Sequence, residues 1–124
     1  LPDRETGDTK SSYAYLDFLE TELIPHVEST YRTAPFSMLF GASNSGWFST
    51  YTLLKKPELF NSYMATSPMF GWSPDVLKQQ IEQGPLKKLT EKRFLHIIYS
   101  DDDLQWIKDG NYYVAAKKDG TLYP

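Results

Sequence analysis

Phe36-Ser-Met-Leu-Phe-Gly-Ala-Ser-Asn-Ser-Gly46 is a short apolar run that breaks at a corner of small residues before a second apolar-rich run begins. Phe36 to Phe40 reads as a buried strand ending at Gly41, and Asn44 to Lys56 has helical length and no interior proline. A strand turning at once into a helix, with a serine on the turn, is the context that gives Gly-x-Ser-x-Gly its chemical meaning. Ser43 is therefore the residue around which the rest of the chain is read.

A serine pushed outward on a cramped turn is within reach of a substrate, but only small neighbours can follow the backbone through such a turn. Gly41, Ala42, Ser45 and Gly46 supply them. The backbone N–H of Asn44, at the start of the helix, then points to where a carbonyl oxygen would gain negative charge. Two other readings compete for the same glycines. A phosphate-cradling loop of the form G-x-x-x-x-G-K-[S/T] aligns with Gly41 and Gly46 but needs a lysine where Trp47 stands. A tight strand–helix turn without chemistry is the plainer alternative, and the local pattern by itself leaves it open.

With 124 residues, a formal charge of −3 and a pI near 5.3, residues 1–124 read as a single, partial domain with no basic footprint. Nucleic acid and anionic membranes are thus poor partners for it. The chain has no cysteine, which excludes disulfides, thiolate metal sites and cysteine nucleophiles. No apolar run approaches the roughly eighteen residues of a membrane span. The N-terminal Leu-Pro-Asp-Arg-Glu lacks a signal-peptide pattern, so a soluble chain is expected.

Residues 1 to 12 are polar and read as a loop with a helix cap at Ser11 or Ser12. Leu16, Leu19, Leu23, Val27 and Tyr31 recur at spacings of three and four, one face of a helix that Pro25 should kink. His26, between Glu22 and Glu28, reads as a surface histidine. Pro57 ends the helix that follows Ser43, Ser62 to Thr66 is a second strand, and Met69-Phe-Gly-Trp72 is an aromatic loop after it. Ligands of open α/β sheets bind at the C-terminal ends of the strands, which makes Phe70 and Trp72 candidate substrate-binding residues. Ser73-Pro74 caps a short helix over 75–83. Phe94 to Tyr99 is the third strand, apolar on both faces as a central parallel strand should be, with His96 a core histidine inside it.

Ser100-Asp-Asp-Asp103 follows that strand directly. Three consecutive aspartates cannot all face one ion, and their spacing is wrong for a calcium loop, so neither metal nor cofactor is expected. A carboxylate that orients a catalytic histidine is the functional reading, and a solvated turn the plain one. Beyond Leu104 the pattern fits helix or hairpin equally. The intervening helices predict that the three strands pair in parallel through right-handed crossovers, gathering Ser43, Phe70 to Trp72 and the acidic turn at one edge.

With strand, turn and acidic segment in place, residues from about Tyr13 to Asp103 resemble the middle of an α/β-hydrolase. They are most similar to the Putative esterase group, which includes esterase D-like and siderophore (enterobactin-type) esterases. The resembling stretches are Tyr15-Leu-Asp-Phe-Leu-Glu-Thr-Glu-Leu-Ile-Pro-His, Tyr31-Arg-Thr, Phe40-Gly-Ala-Ser-Asn-Ser-Gly-Trp-Phe and Lys56-Pro-Glu-Leu-Phe-Asn-Ser-Tyr, followed by Thr66-Ser-Pro. The resemblance implies part of a three-layer α/β/α fold with a mostly parallel sheet, acting on a small-molecule carboxylic ester. It implies Ser43 as nucleophile, the Asn44 N–H as half of an oxyanion hole, and an acid after the third strand. The family's small-x-x-acid pattern laid on Ser100 selects Asp103, with Asp102 next. One imidazole bridging Ser43 and Asp103 would set their side chains roughly 6 to 8 Å apart.

Two departures stand out against that family. Ser45 occupies a position where the family usually has glycine, and no histidine follows His96, although the family order is nucleophile, acid, histidine. Several strands should also precede the nucleophile strand, yet only 35 residues precede Phe36. The expectation is therefore a piece of a larger hydrolase, a chain whose intervening segments have been closed up, or a degenerate relative. Its base and second oxyanion donor lie elsewhere, His26 and His96 are too far from Ser43 to serve, and the 124 residues alone are inactive. A non-catalytic α/β-hydrolase-like binding module is the alternative function.

Overall fold

The computed structural model describes residues 8–100. Helix α1 (Lys10–Phe18), a π-helical turn (Leu19–Leu23) and α2 (Ile24–Thr30) run on as one helix. It starts earlier than the sequence pattern implies. Thr9 is the N-cap, the Lys10 N–H donates to Asp8 Oδ1 at 2.9 Å, and Ser11 and Ser12 fall inside the first turn. Pro25 acts one turn ahead of itself: its ring crowds the carbonyl of Thr21 and it has no N–H to give it. The helix widens there, and the Ile24 N–H donates to the Leu19 carbonyl five residues back. Leu16 and Leu19 are buried, whereas Leu23 and Tyr31 are 39% and 65% exposed, so only the first half of the apolar stripe packs on the core.

Strands β1 (Met38–Ala42), β2 (Ser62–Thr66) and β3 (Phe94–Ile98) form a parallel sheet in the order β1-β2-β3, with Met38 opposite Ser62 and Ser62 opposite Phe94. The parallel pairing agrees with the sequence reading, but β1 lies two residues further on than Phe36 to Phe40. Asn61 explains the shift. Its side chain accepts the Ser37 N–H at 2.8 Å and its own N–H donates to the Ser37 carbonyl at 3.0 Å, so the ladder proper begins at Met38.

Helix α3 (Asn44–Lys55) packs on β1 and β2, and α4 (Pro74–Gln83) packs on α3. Leu16, Trp47, Tyr51, Leu54 and Leu77 make one buried cluster; Leu53, Phe60 and Tyr63 make a second. Because α3 is enclosed by sheet and helices, it is buried nearly all round, which explains its weak amphipathic pattern. Ser73 caps α4 only by position: it has φ 50°, and no side-chain cap bond forms. The alternate face of the sheet is open, with Met38, Phe40, Phe94 and Ile98 all exposed. A second helical layer is thus not among the described residues. β3, at the edge of the described sheet, is exposed along its whole length, and His96 with it. That open face leaves Phe94, His96 and Ile98 bare, and α3, which packs on β1 and β2, leaves Leu95 and Ile97 uncovered; the apolar sequence of β3 implies a central strand and a core histidine instead.

Tyr63 ties the start of β2 to the chain that enters it. Its Oη accepts the Phe60 N–H at 3.1 Å and faces the Lys56 and Pro57 carbonyls at 3.0 and 3.2 Å, and Arg93 Nε also donates to Pro57. Burial pushes the phenol up to about 12, against the smaller pull of the Phe60 hydrogen bond and the Arg93 charge. Below pH 10 the group is neutral folded and unfolded, and contributes its full stability. Above that the unfolded chain ionises first, so about 2 to 3 kcal/mol should be lost as pH climbs from 10 towards 12. Urea unfolding across that range should show the loss in the parent and not in Tyr63→Phe; parallel slopes would refute the attribution.

Candidate active site

The corner between β1 and α3 is held in a conformation that a side-chain-bearing residue rarely adopts. Ser43 has φ 54° and ψ −115°. Its N–H donates to the Thr66 carbonyl at 2.9 Å, which carries the β1–β2 ladder one residue past the strand. Its carbonyl accepts two N–H groups, from Trp47 at 3.1 Å and from Met69 at 3.2 Å. Three hydrogen bonds to two different elements therefore over-determine the turn, which is what allows the strain to persist.

The two glycines have separate tasks. A Cβ on Gly41 would overlap the Ser45 carbonyl and lie 2.8 Å from Gly46 N, so only glycine lets the first turn of α3 fold back over β1. A Cβ on Gly46 would stand 3.1 Å from both Cα and Cβ of Pro68, the residue that carries the loop after β2. Ser45 lies between them on the exposed side, which is why a serine is accommodated there. Ser49 Oγ donates to the Leu39 carbonyl at 3.0 Å and pins the helix to its strand.

Ser43, Asn44 and Ser45 are exposed, while Gly46 and Trp47 directly behind them are buried. The Asn44 N–H belongs to the first turn of α3, whose amides have no intrahelical acceptor. Trp47 and Tyr51 stack with ring centroids 5.1 Å apart and back the corner with a rigid wall. A second corner follows β2, where Ser67 has φ 44° and donates its N–H to the Ile98 carbonyl at 2.7 Å.

Phe70 and Trp72 are half-buried and pack against the cluster around Trp47, Tyr51 and Leu77. Neither lines the groove beside Ser43. That groove, about 250 Å³, runs between α1 and the start of α3 and is lined by Ser11, Ser12, Tyr15, Asn44, Ser45 and Phe48. Sequence reasoning missed Tyr15 and Phe48 because nothing local joins two aromatics 33 positions apart. The one available signal was that both lie in the stretches that resemble esterases.

Among the described residues no hydrogen bond links Ser43 to either histidine. His26 is exposed on α2. His96 faces Met64 two strands from Ser43's own, about 10 Å across the sheet, and stands well short of its C-terminal edge. Asp101, Asp102 and Asp103 lie outside the described residues. Among the described residues no cluster of His, Asp or Glu suits a metal, and no helix is long and apolar enough to cross a membrane.

A parallel sheet whose strand passes through a strained serine into the helix that covers it has the strand–turn–helix order of the α/β-hydrolase fold. The chain belongs to the family described as Putative esterase, whose model matches residues 3–118. It is similar to the ferri-bacillibactin esterase BesA of Bacillus subtilis (strain 168), at 33% identity over 85 residues, covering 64% of this chain and 29% of that protein. Two siderophore hydrolases of Aspergillus nidulans share the fold. EstA has a TM-score of 0.65 at 21% identity, over 89% of this chain and 44% of its own. EstB has a TM-score of 0.58 at 20% identity, over 76% of this chain and 33% of its own. The chain thus spans less than half the length of each of these relatives.

Proposed function

We propose that the full-length protein is a serine hydrolase that cleaves a carboxylic ester through an acyl-enzyme on Ser43. Ser43 Oγ attacks the ester carbonyl and loses its proton to a histidine other than His26 and His96, which Asp103 orients. The negative oxygen of the tetrahedral intermediate is met by the Asn44 N–H and by a second donor from elsewhere in the protein. Collapse expels the alcohol, which takes the proton from the imidazolium, and water then repeats the sequence on the acyl-enzyme. The observation that carries this reading is the backbone of Ser43, strained at φ 54° and exposed at the head of a helix in a chain of the esterase family.

The test is covalent. A fluorophosphonate probe added to the full-length protein should label one peptide, the one containing Ser43, and labelling should vanish in Ser43→Ala. A properly folded protein that takes no label would favour a binding module on the same fold. Because the named relatives act on siderophores, a ferric siderophore ester belongs beside p-nitrophenyl esters in the turnover assay that follows.

A further inference from the structure

We propose that the groove between α1 and the first turn of α3 is the subsite for a flat, ring-sized apolar group of the ester, with Tyr15 and Phe48 as its walls. The inference rests on the serine-hydrolase reading for its position, since the groove opens at Asn44 and Ser45, the two residues after Ser43. An ester whose carbonyl lies at Ser43 and the Asn44 N–H can extend one arm over this helical turn into the groove, because Asn44 and Ser45 line it. At about 250 Å³ the groove is smaller than a site for a whole drug-sized ligand, which points to one ring with its substituents.

The walls define the chemistry. Tyr15 and Phe48 meet with ring centroids 5.2 Å apart and planes tilted by 51°, so together they make one continuous aromatic surface along the groove, on which a further ring can stack. Tyr15 remains 53% exposed although it also stacks on Phe18 at 6.2 Å, an arrangement that holds its ring in place without covering it. Ser45 stands at the threshold, where a glycine would leave the mouth wider.

The ring can belong to the acyl or to the alcohol part of the ester, and the experiment separates the two. For the full-length protein, kcat/KM is measured for p-nitrophenyl benzoate against p-nitrophenyl acetate, and for benzyl acetate against methyl acetate. Tyr15→Ala should lower the ring-to-methyl ratio about tenfold in one of the two pairs, the loss of one aromatic contact. Phe48→Leu, which keeps an apolar side chain against the core, should lower the same ratio severalfold. Ratios within twofold of the parent in both pairs and for both variants would overturn the proposal.

Failure of the nucleophile assignment remains distinguishable. Calorimetric titration of benzyl phenyl ketone, the shape analogue of phenyl benzoate with no ester bond to cleave, into Ser43→Ala measures binding without turnover, and adding Tyr15→Ala should weaken that binding about tenfold. Unchanged affinity overturns the groove whatever Ser43 does, and weakened affinity supports it even if Ser43→Ala hydrolyses esters at the parent rate.

Discussion

Replacing Ser43 by alanine in the full-length protein is expected to lower kcat/KM for p-nitrophenyl acetate by about 10⁴- to 10⁶-fold, the cost of losing the nucleophile from a group of residues that acts as a unit. Alanine leaves the backbone problem as it was, because its Cβ meets the same steric conflict at φ 54°. Glycine removes both. Ser43→Gly should therefore be as inactive as Ser43→Ala and yet about 1 kcal/mol more stable than it, the strain released less the extra freedom of glycine in the unfolded chain. Thermal unfolding of the two variants side by side reads this directly. An alanine variant with a tenth or more of parental activity removes Ser43 from the mechanism. A glycine variant no more stable than the alanine one removes the strain.

Gly41→Ala should be the most damaging single-methyl change in the described part of the chain. The added Cβ has no empty space, since it falls on the Ser45 carbonyl and beside Gly46 N, and both are backbone atoms that no rotamer change can move. The backbone itself is held from three sides: the β1–β2 ladder, the Ser43 N–H to Thr66, and the Ser49 hydroxyl on Leu39. A loss of about 3 kcal/mol or more is expected, at the upper end of overpacking costs. Activity should fall with it, because the only escape is to lift the first turn of α3 and with it the Asn44 N–H. Urea unfolding of Gly41→Ala beside Ser45→Ala, whose Cβ already exists, makes the comparison. A Gly41→Ala loss below 1 kcal/mol would mean that the turn is softer than its geometry implies.

The site and the sheet were legible to different depths. The corner at Ser43 could be read because a strand, a turn of small residues and a helix are all local features, and local sterics determine which residues can occupy such a corner. The parallel pairing of the three strands followed from the helical stretches between them, since a helical crossover brings the chain back to start the next strand in the same direction, whereas their order came from the structure. The exposure of β3 could not be read in that way. Phe94-Leu-His-Ile-Ile98 has the composition of a strand buried on both faces, but what covers a face is decided by elements distant in sequence, and Leu95, Ile97 and His96 all stand exposed. Composition records what a strand is fit to bury, not what lies against it.

By itself, the sequence marked the corner at Ser43, since only glycine at position 41 makes room for the Ser45 carbonyl, while the bonds to Thr66, Trp47 and Met69 hold its strained backbone. It also determined the site of the Pro25 disturbance, although not its form as a π turn, which depends on how the neighbouring carbonyls find new donors. Only the tertiary structure decided which aromatics line the groove beside Ser43. Phe70 and Trp72 stand at the C-terminal end of the sheet, half-buried against the core cluster of α3 and α4. Tyr15 and Phe48 have no local mark of a pocket, and become its walls because α1 docks through Leu16 beside the first turn of α3. Backbone sterics act between near neighbours and can be read along the chain, whereas a groove is the space left between two helices and exists only once they have packed.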